Sequence, residues 1–182
     1  GELTELAEPV EFRVKYLDQA TLPTEDWDAY DAFVRDVMDL SKAMSAASDI
    51  RGNLDDRLDA LETAALETTG SPEDALTTLY DLRERLADFT MALYGDRTRG
   101  SLEMETAPSV AGRIGSIEYG MWNVTSDPTE TFKESYQVAA EQFAPLLDEL
   151  KTIDTDVRAL EQTLETQGAP YTPGRWPDWS RE

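Results

Sequence analysis

The chain contains no cysteine and no histidine in 182 residues. Without cysteine there is no disulfide, no thiolate nucleophile and no sulfur ligand for a metal. Without histidine the commonest general base and a leading transition-metal ligand are missing as well. Catalysis through carboxylates stays open, but the usual sites are closed. No catalytic residue, no cofactor-binding residue and no metal ligand is predicted, and the chain is read as a non-enzyme. Lysine is scarce, limited to Lys15, Lys42, Lys133 and Lys151. No apolar run approaches the roughly 18 residues of a membrane span. No basic stretch followed by an apolar one opens the chain, so no signal peptide is read. The sequence begins Gly1-Glu2-Leu3 without methionine and reads as part of a longer polypeptide, whose own signals it leaves open.

Acid is what the chain has most of. Asp and Glu total 38 against 16 Lys and Arg, a net charge of -22. Neutralising phosphates needs clustered Lys and Arg, so no nucleic-acid partner is expected. An anionic membrane surface would repel the chain, so no membrane partner is expected either. An acidic, lysine-poor surface stays hydrated at very high salt, where its self-repulsion is screened. This composition points to a halophilic source. The alternative is an acidic patch for a cationic partner, but the acids spread over the whole length.

Apolar residues make up 40% of the chain, enough for the core of one domain. Their spacing predicts an all-α fold: an elongated up-down bundle of three to four helices, with a short N-terminal extended segment. Residues 1–23 are that segment. Val10, Phe12, Val14 and Tyr16 alternate with charged residues at strand period, which suits the last strand of an upstream β-domain. Residues 24–168 form the bundle. Its first helix is predicted over 25–68, capped by Thr24, with a possible break at Gly52. The second starts at Ser71-Pro72 and ends near Leu93. Residues 95–108 read as a loop. A short helix follows over 109–122, with Val110, Ile114, Ile117, Met121 and Trp122 on its face. Gly112, Gly115 and Gly120 would let a neighbour approach closely. The last helix starts at Asp127-Pro128 and runs to Gly168. Pro145 should kink or interrupt it near 141–144.

Acidic clusters invite a metal reading. Asp55, Asp56 and Asp59 share a helix, and Asp154 and Asp156 flank Thr155. Neither cluster has the Asp-x-Asp-x-Asp-Gly pattern with a later Glu that a Ca²⁺ loop needs. Both are read as solvated helix faces. A glycosidase pair of carboxylates across a cleft is disfavoured, because simple bundles rarely offer the cleft. Ser, Thr and Lys have no identifiable base partner. Asn123-Val124-Thr125 matches a glycosylation sequon, a triplet common by chance. Residues 169–182, rich in proline and tryptophan, form a non-helical tail. Tyr171, Arg175, Trp176 and Trp179 are the candidate contacts for a partner or a sugar. The competing expectation is that this tail folds back and covers the bundle.

Gly112-Arg113-Ile114-Gly115, then Trp122-Asn123-Val124-Thr125-Ser126-Asp127-Pro128-Thr129, then Gly168-Ala169-Pro170-Tyr171-Thr172-Pro173-Gly174-Arg175-Trp176-Pro177-Asp178-Trp179, resemble the end of a bacterial family. Its members are large exported proteins with a sortilin-like β-propeller, often labelled glycosyl hydrolase or sialidase-like. The resemblance implies a helical C-terminal region following a small β-domain, of which Phe12-Arg13-Val14 would be the last strand. It implies a periplasmic or extracellular parent, and an intramolecular propeller as partner. It carries no catalytic residue to this chain, because the family's presumed active face belongs to the propeller. The expected role is a non-catalytic helical domain that packs on the propeller or mediates its interactions. An accessory domain of a carbohydrate-active enzyme and a free-standing acidic binding bundle are the alternatives.

Overall fold

A computed structural model describes residues 8, 10–15, 22, 24–69 and 73–181. Five helices pack into a bundle, and no strand occurs among the described residues. They are α1 (Trp27–Glu67), α2 (Glu73–Tyr94), α3 (Arg97–Ser101), α4 (Val110–Asn123) and α5 (Glu130–Thr166). The all-α expectation holds. The strand expected in residues 1–23 does not form where the segment is described. Residues 10–15 lie outside regular structure, and the side chains of Val10, Phe12 and Val14 are exposed.

The apolar spacing sets the passes. Leu54, Leu58 and Leu61 of α1 are buried, as are Leu79, Leu82, Leu86, Phe89 and Leu93 of α2. Ile114 and Ile117 of α4 join Phe143, Leu150, Ile153, Val157 and Leu164 of α5 in the same core. Direction follows from cross-helix contacts. The Phe33 and Tyr136 rings meet edge to face at 5.8 Å, and Arg57 reaches Asp154 and Glu161, so α1 and α5 run parallel. Arg83 reaches Asp59 and Glu62 of α1, and Arg85 reaches Glu149 and Asp156 of α5, so α2 runs against both. The middle pass then continues, after α3, as α4. This is the up-down-up order that the helix lengths suggest, with α2 and α4 sharing one pass.

Several local expectations are corrected. Thr24 does not cap α1. The N-cap is Asp26, whose carboxylate accepts from the Ala29 N–H at 3.0 Å. Thr24 is buried instead, and its hydroxyl donates to the Thr125 carbonyl at 2.5 Å. Asp127 likewise does not cap α5. Its carboxylate accepts from the Glu25 N–H at 3.2 Å, and Thr129 caps α5 two residues later. Both displaced residues tie the start of α1 to the α4–α5 connection. The predicted loop over 95–108 contains α3, capped by Asp96. Helix α5 runs through Pro145 without interruption. A proline removes one intrahelical bond, and here the rest of a long packed helix carries it. The predicted Ser71-Pro72 start lies outside the described residues. Met38, Ile50 and Trp122, assigned to buried stripes, are exposed.

The glycines divide in the same way. A side chain at Gly120 would sit 2.5 Å from Cζ of Phe132, so this one does let α4 approach α5 closely. An added methyl at Gly112 would meet only the Oγ of its own cap, Ser109, at 3.1 Å, and at Gly115 nothing. Helix α1 passes through Gly52 unbroken, and nothing lies within 4 Å of where its Cβ would be. Gly52→Ala should therefore raise stability by about 0.5–1 kcal/mol through helix preference alone. A urea midpoint equal to or below wild type would show that the site needs its glycine.

Candidate functional site: a pinned C-terminal tail

Helix α5 ends at Thr166 with Gln167 as its C-cap, and Gly168 follows with a φ of +80° that suits a residue without Cβ. The Gly168 and Ala169 N–H groups donate back to the Glu165 and Leu164 carbonyls, and the Ala169 side chain is buried. The chain then turns at Pro173-Gly174. The Arg175 N–H donates to the Thr172 carbonyl at 3.1 Å, with Gly174 at φ +88°. Proline followed by a glycine of positive φ is the pairing a type II turn requires. The Asp178 N–H donates to the Tyr171 hydroxyl at 3.1 Å and closes the loop on itself.

This turn aims Arg175 at the bundle. Its guanidinium donates to both Glu165 oxygens, at 2.6 and 2.7 Å, in the fork geometry that fits carboxylates best. A further nitrogen lies 4.0 Å from Glu161. Glu161 is only 3% exposed, and Arg57 of α1 holds it bidentately at 2.9 and 3.0 Å. Arg57 also reaches Asp154, which Arg158 holds from the other side. A line of alternating charge therefore runs from α1 through α5 into the tail.

The fork shifts its members. The Arg175 hydrogen bond holds the Glu165 carboxyl below the usual glutamate range, and the same bond raises Arg175. Burial works to raise Asp154, but hydrogen bonds from Arg158 and Arg57 outweigh it and hold this carboxyl low. For a carboxyl lowered on folding, the stabilisation is present at neutral pH and disappears as pH falls through the folded pKa. The tail should thus stay pinned to below the ordinary glutamate pKa of 4.5. The NMR signal of the Arg175 Nε–H should report a transition with its midpoint below that value. A midpoint at or above it would mean that the fork does not form in solution.

The structure separates the four tail residues picked from sequence. Arg175 faces α5 rather than solvent, so it positions the loop and is not itself a free contact. Trp176 is 92% and Trp179 79% exposed, while Tyr171 is half exposed. The expectation that the tail's tryptophans cover the bundle is overturned, because a ring in water removes no apolar area from it. The two aspartate clusters keep the solvent exposure expected of them, and most of their members also form ion pairs. Asp55 pairs with Arg51, Asp59 with Arg83, Asp154 with Arg57 and Arg158, and Asp156 with Arg85. Most of these pairs bridge two helices. The sequence reading missed Glu161, although a signal was there: it lies on the buried register between Val157 and Leu164.

Among the described residues no group of three or more acidic side chains is placed to hold a metal. A cavity of about 720 Å³ opens beside the break in the middle pass, where Met91, Glu105, Glu141 and Pro145 line it. Asp96, Arg99 and Gln142 also line this wide groove. No helix among the described residues is long and apolar enough to cross a membrane. No family model, curated protein or solved structure matches this chain.

Proposed function

We propose that this chain is a non-catalytic helical C-terminal domain that packs on a β-propeller protein and mediates its interactions. The observation that carries the reading is the tail: an ordered loop, tied to α5 by the Arg175–Glu165 fork, with two tryptophans in solvent. The Pro-Gly-Arg-x-Pro-x-Trp run of that loop is the same run on which the resemblance to propeller proteins rests. The test begins with the gene. The reading requires propeller repeats encoded upstream of Gly1, and in the full-length product chemical cross-links between the helical region and the propeller. A gene without such repeats, or a full-length protein in which the two regions never cross-link, rejects it.

We further infer that the acidic surface serves hydration at high salt. Its support is composition, 38 acidic against 16 basic residues, and the spread of acids over every long helix. Self-repulsion at low ionic strength should then be screened by salt. The Tm is expected to rise between about 0.1 M and 2 M KCl by more than in a neutral bundle of similar size. A flat response would remove the halophilic reading.

A further inference from the structure

We infer that Asn123 is an N-glycosylation site, and that the saccharide it carries lies over the Tyr119 and Trp122 rings. The sugar comes from a lipid-phosphate-linked donor, and the site does not depend on the propeller-associated reading.

Asparagine is rare in this chain. It occurs twice, at Asn53 and Asn123, and only Asn123 has a threonine two positions on with a residue other than proline between. As a triplet this is a match that chance supplies, and the fold adds what the triplet lacks. Asn123 is the last residue of α4 and is exposed. Val124 after it is exposed and extended, with φ −143° and ψ 144°. The acceptor amide therefore stands on the surface, where a helix gives way to extended chain. Two features beside the amide suit a saccharide. Tyr119 is 76% and Trp122 90% exposed. Tyr119 lies four residues before Asn123 and three before Trp122, so it neighbours both on the helix surface. Flat aromatic faces cover the C–H faces of sugar rings and remove apolar area from water on both sides. The end of α4 also leaves acceptors open. No hydrogen bond among the described residues reaches the carbonyls of Gly120, Met121, Trp122 or Asn123. A saccharide brings hydroxyl donors to that cluster. Neither contact is an ion pair, so the screening expected at high salt does not remove it.

The attachment is a substitution at one atom. The Asn123 Nδ2 carries two hydrogens, and its hydrogen bond to the Tyr119 carbonyl, at 2.6 Å, uses one of them. Replacing the other forms the bond from Nδ2 to C1 of the first sugar and breaks the bond from C1 to the donor's phosphate oxygen. The lipid phosphate leaves with that electron pair, and the displaced amide proton passes to a base of the transferase. The hydrogen that remains can keep its bond to Tyr119, so α4 keeps its last turn when the sugar is in place. Thr125, the third member of the triplet, meets Thr24 through its backbone carbonyl. Its side chain is therefore not what ties α1 to the α4–α5 connection.

Peptide mapping of the protein purified from its natural source reads the site directly. Trypsin cuts after Arg113 and Lys133 and releases residues 114–133 as one peptide. Tandem mass spectrometry should find a saccharide mass on that peptide and place it on Asn123. In the same host Thr125→Ala, which keeps Asn123, should lose the mass, and Thr125→Ser should retain it. Hydroxyl-radical footprinting then compares wild type with Thr125→Ala. Tyr119 and Trp122 should oxidise roughly threefold less in the glycosylated form, in proportion to the ring area covered. A peptide found only without saccharide overturns the inference. So does a saccharide located on Thr125, Ser126 or Thr129 instead of Asn123, or one that survives Thr125→Ala. Equal oxidation of both rings in the two forms rejects them as the sugar's platform, even with Asn123 modified.

Discussion

Arg57→Ala is expected to lower the stability of this chain by about 3–5 kcal/mol, the usual result of removing one partner from a buried ion pair. The arginine itself is a quarter exposed, but Glu161 beneath it is 3% exposed. Without Arg57, the nearest cationic group to that carboxylate is Arg175, at 4.0 Å and already committed to Glu165. A carboxylate in that position must remain charged with poor compensation or take up a proton. Asp154 would lose one of its two arginines in the same step. Burial works to depress Arg57, yet its bonds to Glu161 and Asp154 outweigh this and raise it, which is the signature of a cation held by its partners. Arg57→Leu combined with Glu161→Leu should recover most of the loss, because replacing both ions by apolar groups removes the unpaired charge. Urea denaturation of the single and double variants decides the matter. A single-variant loss below about 1 kcal/mol would place the pair in the weak class of surface salt bridges.

Phe89→Ala should cost a similar amount, about 3–5 kcal/mol, by a different route. Phe89 is 2% exposed and is among the largest fully enclosed side chains of the described core. It lies near the end of α2, just before the middle pass breaks. The cavity left by the ring must be closed by the surrounding core side chains, each fixed by its own packing. The expected Tm loss is on the order of 10 °C, taking about 2–4 °C per kcal/mol for a chain of this size. A loss under about 1 kcal/mol would mean that the break in the pass lets the site collapse. Unlike the arginine variant, this one should be insensitive to pH.

The two variants mark the line between what the sequence shows and what it hides. Apolar spacing is a local property, and it located all four long helices with ends displaced by a few residues. The caps were misplaced for a physical reason. Thr24 and Asp127 look like caps because they have the right side chains in the right positions. They bond instead to residues about a hundred positions away, and no local rule sees that competition. Pro145 does not interrupt α5: its local penalty is real, but the tertiary packing of the helix outweighs it. In the tail, hydropathy alone does not say which way a tryptophan faces. That required knowing that Arg175 finds Glu165 and thereby turns Trp176 outward. Glu161 was legible only as an acid in an apolar register, and its partner on α1 was not legible at all.

The parallel setting of α1 and α5 has a consequence for reach. A bundle of three passes receives its chain at one end and releases it at the other. Helix α5 has 37 residues, and at 1.5 Å per residue the two ends lie about 55 Å apart. Thr24 and the exposed pair Tyr119 and Trp122 mark one end, Trp176 and Trp179 the other. A single body that touches Trp122 and the tail tryptophans at once must span that distance, about 55 Å.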